Sequence, residues 1–174
     1  MREYHQKHSV TNTPRPLWAP WRIEYIREDK VDDSCFLCRA PQEHETENLV
    51  IARGNQCFVM LNAFPYNSGH VLISPFEHVA DLEELDDNVH HELMDLIVKT
   101  KTVLRNVMWP DGFNVGFNLG SAAGAGVEEH IHGHIVPRWE GDTNFMPVLS
   151  NTRVVPEALE DTAKLLREKW ETSQ

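Results

Sequence analysis

Three histidines alternate with an isoleucine and a glycine in the run Glu128-Glu129-His130-Ile131-His132-Gly133-His134-Ile135-Val136. Successive side chains of a β-strand point to opposite faces, so this spacing predicts His130, His132 and His134 on one face of a strand. Imidazoles placed side by side need partners: a metal, a backbone carbonyl, an anionic ligand or a bond to substrate. Just upstream, Gly120-Ser121-Ala122-Ala123-Gly124-Ala125-Gly126 can bring backbone N–H groups close to a phosphate. A row of imidazoles beside such a loop points to phosphate chemistry on a nucleophilic histidine. A purification tag or metal scavenger would sit at a terminus without interleaved apolar residues. Here Ile131, Ile135 and Val136 supply a core face.

A second group of chemically capable residues lies earlier in the chain. Cys35-Phe36-Leu37-Cys38 sets two thiols three positions apart, which is a half-site for zinc and equally the pattern of a redox pair. Cys57 falls in an apolar strand pattern and reads as a small core residue.

The elements that must position these residues follow from periodicity. Residues 49–52, 57–62 and 70–75 read as three strands, the third antiparallel to the second across the turn-rich Phe64-Pro65-Tyr66-Asn67-Ser68-Gly69, and His78 lies just past the third. Residues 81–107 read as one long helix, with Asp86, Asp87 and Asn88 as candidate caps and Val89, Leu93, Leu96, Ile97, Val103, Leu104 and Val107 at helical spacing. On it, His90 and His91 read as exposed and without a chemical role, and the acidic residues of 81–87 as a solvated face. Pro110-Asp111-Gly112 ends the helix, and residues 113–119 alternate as a strand into the glycine loop. A second helix, 155–170, carries Leu159, Ala163, Leu166 and Trp170 along one side. This is an α+β layout: a mainly antiparallel sheet with one long helix and a C-terminal helix. Residues 1–34 read as an N-terminal arm, with Trp18 and Trp21 packing onto the core, and residues 35–174 as a single catalytic domain.

At 174 residues, 41% hydrophobic and 25% charged, the chain has the composition of one globular domain with a sizeable core. A net charge of −11 argues against a general nucleic-acid binder but leaves room for an anionic small molecule held by local N–H groups. Apolar runs are too short to span a membrane, the first residues do not read as a signal peptide, and three cysteines fit a reducing cytoplasm.

The run from His130 to Val136 resembles the signature of the histidine triad family, three histidines each followed by a usually apolar residue. Asn62, Ser68-Gly69-His70-Val71-Leu72-Ile73-Ser74-Pro75, the long helix and Asn118-Leu119-Gly120 fall in the family's order, so the likeness spans roughly residues 35–139. Trp18-Ala19-Pro20-Trp21-Arg22 and the segment from Pro137 to Pro147 resemble the branch that includes bacterial diadenosine tetraphosphate phosphorylases. The resemblance implies a nucleotide hydrolase or transferase in which His132 attacks the α-phosphorus and forms a nucleotidyl-histidine. Phosphate or water then releases the nucleotide. It also implies that His134 contacts the phosphate or leaving group, His70 orients the site and Asn62 binds ribose, while Asn118 and the N–H groups of Gly124, Ala125 and Gly126 hold phosphates. Cys35, Cys38, His78 and His130 would form a closed structural zinc site, and the protein would be a homodimer.

Two positions depart from the family pattern. Many relatives carry a hydroxyl residue shortly before the first histidine. Ala125-Gly126-Val127 offers none, which leaves that role to backbone N–H groups or Ser121. Gly133 replaces a typically larger residue and leaves room for another side chain. Three other readings stay open: hydrolysis of nucleoside phosphoramidates, a catalytic metal bound by all three histidines, and a nucleotide-binding partner protein without turnover.

Overall fold

The computed structural model describes residues 35–43, 49–142 and 158–173. The N-terminal arm with its tryptophans and the segment 143–157 lie outside the described residues. Five strands form one antiparallel sheet: β1 (Val50–Arg53), β2 (Cys57–Leu61), β3 (Val71–Pro75), β4 (Gly112–Phe117) and β5 (Gly133–Arg138), in the order β1-β2-β3-β5-β4. A one-turn helix α1 (Phe36–Arg39) precedes the sheet, α2 (Asp87–Met108) crosses it between β3 and β4, and α3 (Leu159–Thr172) closes the chain. This is the α+β arrangement expected from the sequence.

Every residue of β2 and β3 is buried, since these strands are covered on both faces. On one side Val59, Val71, Ile73, Ile131 and Ile135 pack against Leu93, Ile97 and Leu104 of α2 and against Ala163 and Leu166 of α3. On the other, Phe58, Met60 and Leu72 enclose Leu37 and Ala40 of the cysteine segment. Leu37 has no exposed surface. Burying such a side chain contributes about 1.5–3 kcal/mol and anchors the two cysteines to the sheet. No helix among the described residues is long and apolar enough to cross a membrane.

Several element boundaries differ from the periodic reading, each for a local reason. The long helix starts at Asp87, not 81, because Leu85 is extended (φ −91°, ψ 142°). Before it, Asp81 and Glu84 form a capping box around a 3₁₀ turn, Leu82–Glu84, so these two acidic residues hold backbone N–H groups and do more than solvate a face. His90 is half-buried with Nε2 2.9 Å from the Leu82 carbonyl, whereas His91 is exposed as expected. The helix ends at Met108 with Trp109 in the left-handed region (φ 46°) ahead of Pro110. The C-terminal helix begins at Leu159, after Ala158 in extended conformation.

Candidate active site and metal centre

The histidine run does not lie wholly on a strand. The β3–β5 ladder pairs Val71 with Ile135, Leu72 with His134 and Ile73 with Gly133, and ends there. Beyond it the Ser74 hydroxyl donates to the Ile131 carbonyl at 2.9 Å and the Ile131 N–H turns to the Val79 carbonyl at 2.7 Å. Pro75 has no N–H to extend the ladder. His130 and His132 therefore precede β5, and only His134 is a strand residue. Ile131 and Ile135 still face the helix-side core, so the alternation survives the loss of the ladder.

His130 is fully buried and its ring meets the cysteines. The Cys35 carbonyl accepts from Cys38 N–H at 3.0 Å and Arg39 N–H at 3.2 Å, a tight turn that brings both thiols together. Cys35 Sγ lies 3.3 Å and Cys38 Sγ 3.4 Å from His130 Nδ1, and Cys38 Sγ lies 3.3 Å from His78 Nδ1. The four ligand atoms all fall within 4.8 Å of one another. Ligands about 2.0–2.3 Å from a tetrahedral ion stand roughly 3.3–3.8 Å apart, so these spacings fit one metal. His130 Nε2 donates to the Pro75 carbonyl at 3.0 Å, which fixes the hydrogen there and leaves Nδ1 bare for coordination. Burial, then the neighbouring Cys35, push the Cys38 thiol up, and a divalent cation among the four would offset that. The residues fit a closed Cys₂His₂ site with no open position.

The carbonyl of the same His130 serves the next histidine. His132 Nδ1 lies 2.8 Å from it and can only donate, so the Nε2 lone pair stays available for attack. Burial lowers the His132 pKa, partly opposed by this hydrogen bond, and the ring is neutral at pH 7.

His70 and His134 form a chain whose tautomers are set from one end. Tyr66 N–H donates to His70 Nδ1 at 3.0 Å, and the Asn62 side-chain amide approaches the same atom at 3.3 Å. The hydrogen of neutral His70 therefore sits on Nε2, 3.0 Å from His134 Nδ1. His134 accepts there, which puts its own hydrogen on Nε2. The rings of His132 and His134 are 5.0 Å apart, edge to face. Burial, then the proximity of His132, lower the His134 pKa to about 4, so it too is neutral at pH 7. One neutral imidazole thus offers a lone pair while its neighbour offers an N–H.

The glycine loop is less open than its sequence suggests. Ser121–Ala123 forms a 3₁₀ turn between Gly120 (φ 75°) and Gly124 (φ 88°), both in the region that favours glycine. Gly124 N–H donates to the Ser121 carbonyl at 2.9 Å and Ala125 N–H to the Gly120 carbonyl at 3.2 Å. Ser121 is exposed on this turn. Asn118 Nδ2 lies 3.4 Å from His134 Nε2, and with the His134 hydrogen on Nε2 the amide must turn to accept there through Oδ1. Asn62 is half-buried, its Oδ1 accepting from Phe64 N–H at 2.9 Å.

Two contributors carry no signal strong enough to be read from sequence. Tyr66 stacks near His70 and His134, with centroids 4.6 and 5.8 Å away. Asp142 gathers hydrogen bonds from Asn67, Arg138 and the Trp139 N–H. Neither residue belongs to a chemical motif, although the position of Tyr66 in the turn before His70 was a signal. The space left by Gly133 is filled by Phe117, directly across the ladder: a Cβ on Gly133 would lie 3.0 Å from that ring. The three histidines do not share one metal. Among the described residues only Cys35, Cys38, His78 and His130 form a metal-capable group, which sets aside the catalytic metal triad.

A family model described as the HIT domain matches residues 43–141, more than half of the chain. The chain belongs to the histidine triad family. It is 42% identical over 162 residues to the AP-4-A phosphorylase of Mycobacterium tuberculosis, covering 88% of this chain and 83% of that one. It is 29% identical over 117 residues to the adenylylsulfatase HINT3 of Arabidopsis thaliana, covering 67% of this chain and 58% of that one. Among solved structures, a Zn-bound histidine triad family protein from Mycobacterium smegmatis superposes with a TM-score of 0.64 at 27% identity, covering 80% of this chain and 94% of that one.

Proposed function

We propose that this protein cleaves nucleoside polyphosphates such as diadenosine tetraphosphate by nucleotidyl transfer through His132, with phosphate or water as final acceptor. The observation that carries the reading is the 2.8 Å contact between His132 Nδ1 and the His130 carbonyl, which leaves Nε2 as a neutral nucleophile. Likeness to the mycobacterial AP-4-A phosphorylase supports the substrate class.

In the first step Nε2 forms a bond to the α-phosphorus and the bond to the bridging oxygen breaks, with its electron pair leaving on that oxygen. The adduct is a cationic nucleotidyl-imidazolium whose Nδ1–H stays on the His130 carbonyl. His134 Nε2–H donates to the departing oxygen, which lowers the cost of the charge developing there. In the second step phosphate or water forms the new P–O bond, the P–N bond breaks, and His132 returns to neutral. Asn118, Ser121 and the Gly126 N–H hold the phosphates, and the Gly124 and Ala125 N–H groups join them once the 3₁₀ turn that now engages them opens. Asn62 binds ribose after turning from its present partners. Of residues 124–126, Gly126 is the one whose N–H has no backbone acceptor among the described residues. Zinc, the metal this thiolate and imidazole set suits, would be structural at Cys35, Cys38, His78 and His130, pinning the cysteine segment to the start of the histidine run. The same reading takes the protein as a cytoplasmic homodimer, and light scattering at the 20.0 kDa monomer mass would overturn the dimer.

The test is incubation with diadenosine tetraphosphate, with and without inorganic phosphate, followed by chromatography. Phosphate-dependent ADP plus ATP identifies a phosphorylase, and AMP plus ATP without phosphate a hydrolase. His132→Ala should lower turnover at least about a thousandfold. Full activity of that variant refutes the nucleophile. Products from a nucleoside phosphoramidate alone would move the substrate class.

A further inference from the structure

We propose that Asp142 is a positioning residue for the His70–His134 pair, acting by fastening the turn before His70 to the end of β5. Its side chain is 9% exposed and accepts from four donors. Asn67 Nδ2 approaches Oδ2 at 2.8 Å, Arg138 Nε approaches Oδ2 at 2.6 Å, Arg138 Nη2 approaches Oδ1 at 2.7 Å, and Trp139 N–H approaches Oδ2 at 3.0 Å. Gly141 (φ 78°) supplies the left-handed residue that turns the chain back, and Asp142 N–H closes the turn on the Trp139 carbonyl at 3.1 Å.

Two of the segments held in this way carry site residues. Asn67 donates to both Asp142 and the Pro137 carbonyl (3.2 Å), and its own carbonyl accepts from His70 N–H at 3.1 Å. Tyr66, the preceding residue, supplies the N–H that makes His70 Nδ1 an acceptor. Arg138 Nη1 reaches Asn114 Oδ1 at 2.8 Å on β4, the strand that leads to Asn118 beside His134. A well-bonded carboxylate thus stands at one end of a chain: Asp142, Asn67, the backbone at Tyr66, His70, His134. Loosening Asn67 lets the Tyr66 N–H drift from His70 Nδ1. The longer approach of the Asn62 amide, 3.3 Å, is then left to hold His70 Nδ1, so the hydrogen of His70 is less firmly confined to Nε2 and His134 less firmly presents its N–H outward. A charged group holding a hydrogen-bond donor or acceptor in register is the usual way a site fixes an imidazole tautomer.

The consequence for turnover rests on the proposed role of His134, but the tautomer itself does not. The experiment is ¹⁵N NMR of histidine side chains in the full chain, beside steady-state kinetics, for Asp142→Ala and Asp142→Asn. Leu166→Ala, remote from the site in α3, serves as a variant destabilised without touching the chain of bonds. In the parent, His70 and His134 should each show a bare Nδ1 and a protonated Nε2. Asp142→Ala should average the two nitrogens of both rings and lower kcat about 10–100-fold with KM within about threefold. Asp142→Asn, which keeps an acceptor for Asn67, should recover part of both. Leu166→Ala should lower Tm and leave tautomers and kcat in place. Unchanged histidine signals and kcat in a folded Asp142→Ala overturn the proposal. If Asp142→Ala does not fold, Asn67→Ala cuts the same chain, and parental tautomers there overturn it equally. Shifted tautomers together with a parent that turns over no nucleotide leave the positioning role standing and remove the nucleotidyl-transfer reading instead.

Discussion

Gly133→Val forces a side chain into the ring of Phe117, and the structure sets the size of the effect. A Cβ at position 133 falls 3.0 and 3.1 Å from Phe117 Cε1 and Cζ. Carbon atoms pack best at about 3.5–4.0 Å, so the ring must retreat by about half an ångström. Phe117 is the cross-strand partner of Gly133 and packs on the helix-side core, so it cannot retreat without moving the end of β4. Overpacking of this kind costs about 1–3 kcal/mol, while removing a glycine from a strand returns about 0.5–1 kcal/mol. Alanine brings only the Cβ, so the low end of that cost applies, nearly offset by the return, and Gly133→Ala should be close to neutral. Valine adds two methyls and should be destabilising by roughly 1–2 kcal/mol, a Tm lower by about 3–6 °C for a domain of this size. Activity should fall further than stability implies. Asn118 follows Phe117 and lies 3.4 Å from His134 Nε2, and small displacements at such a group cost about tenfold or more. The assay is thermal unfolding and turnover for Gly133→Val, Phe117→Leu and the double variant. Leucine is shorter, so the double variant should recover a coupling of at least about 1 kcal/mol. A Gly133→Val protein with parental Tm and turnover, or a double variant no better than the sum of its parts, refutes the reasoning.

Other outcomes follow from single groups. His134 titrates at about 4 in the folded chain against about 6.5 in an unfolded one, so the unfolded state binds the extra proton between those values. Its contribution to stability is complete above about pH 6.5 and is lost as pH falls toward 4. Urea unfolding should show this slope, and His134→Gln should make it shallower, with the lowered pKa values of His130 and His132 keeping the remainder. Thr100 is 2% exposed, and its hydroxyl has no hydrogen-bond partner among the described residues. Thr100→Val should therefore raise stability by about 1 kcal/mol, and a lower Tm would show that the hydroxyl has a partner. Chelation, or Cys38→Ser, should release bound zinc and lower Tm by more than about 6 °C, since metal binding holds the cysteine turn and His130 together. A parent that carries no zinc and is indifferent to chelator would remove the metal reading.

What sequence determined is what depends on periodicity and on residue type. Short apolar runs at 49–52, 57–62 and 70–75 separated by turn residues, with alternation at 113–119 and in the histidine run, specified the strands of an antiparallel sheet. The helical spacing from Val89 to Leu104 specified the helix that covers it. The Cys35–Cys38 spacing and the histidines carried ligand chemistry on their face. Tertiary structure decided how each imidazole is used. His130, His132 and His134 look equivalent in the chain, yet one bonds the Pro75 carbonyl, one the His130 carbonyl and one His70, and those contacts set which nitrogen of each ring is bare. It also ended the β5 ladder at Gly133, took Gly124 and Ala125 N–H groups into a turn, and brought Asp142 beside Asn67, 75 positions away. These are hydrogen bonds between residues distant in sequence or between backbone atoms with no side-chain signature, and no pattern along a single chain encodes them.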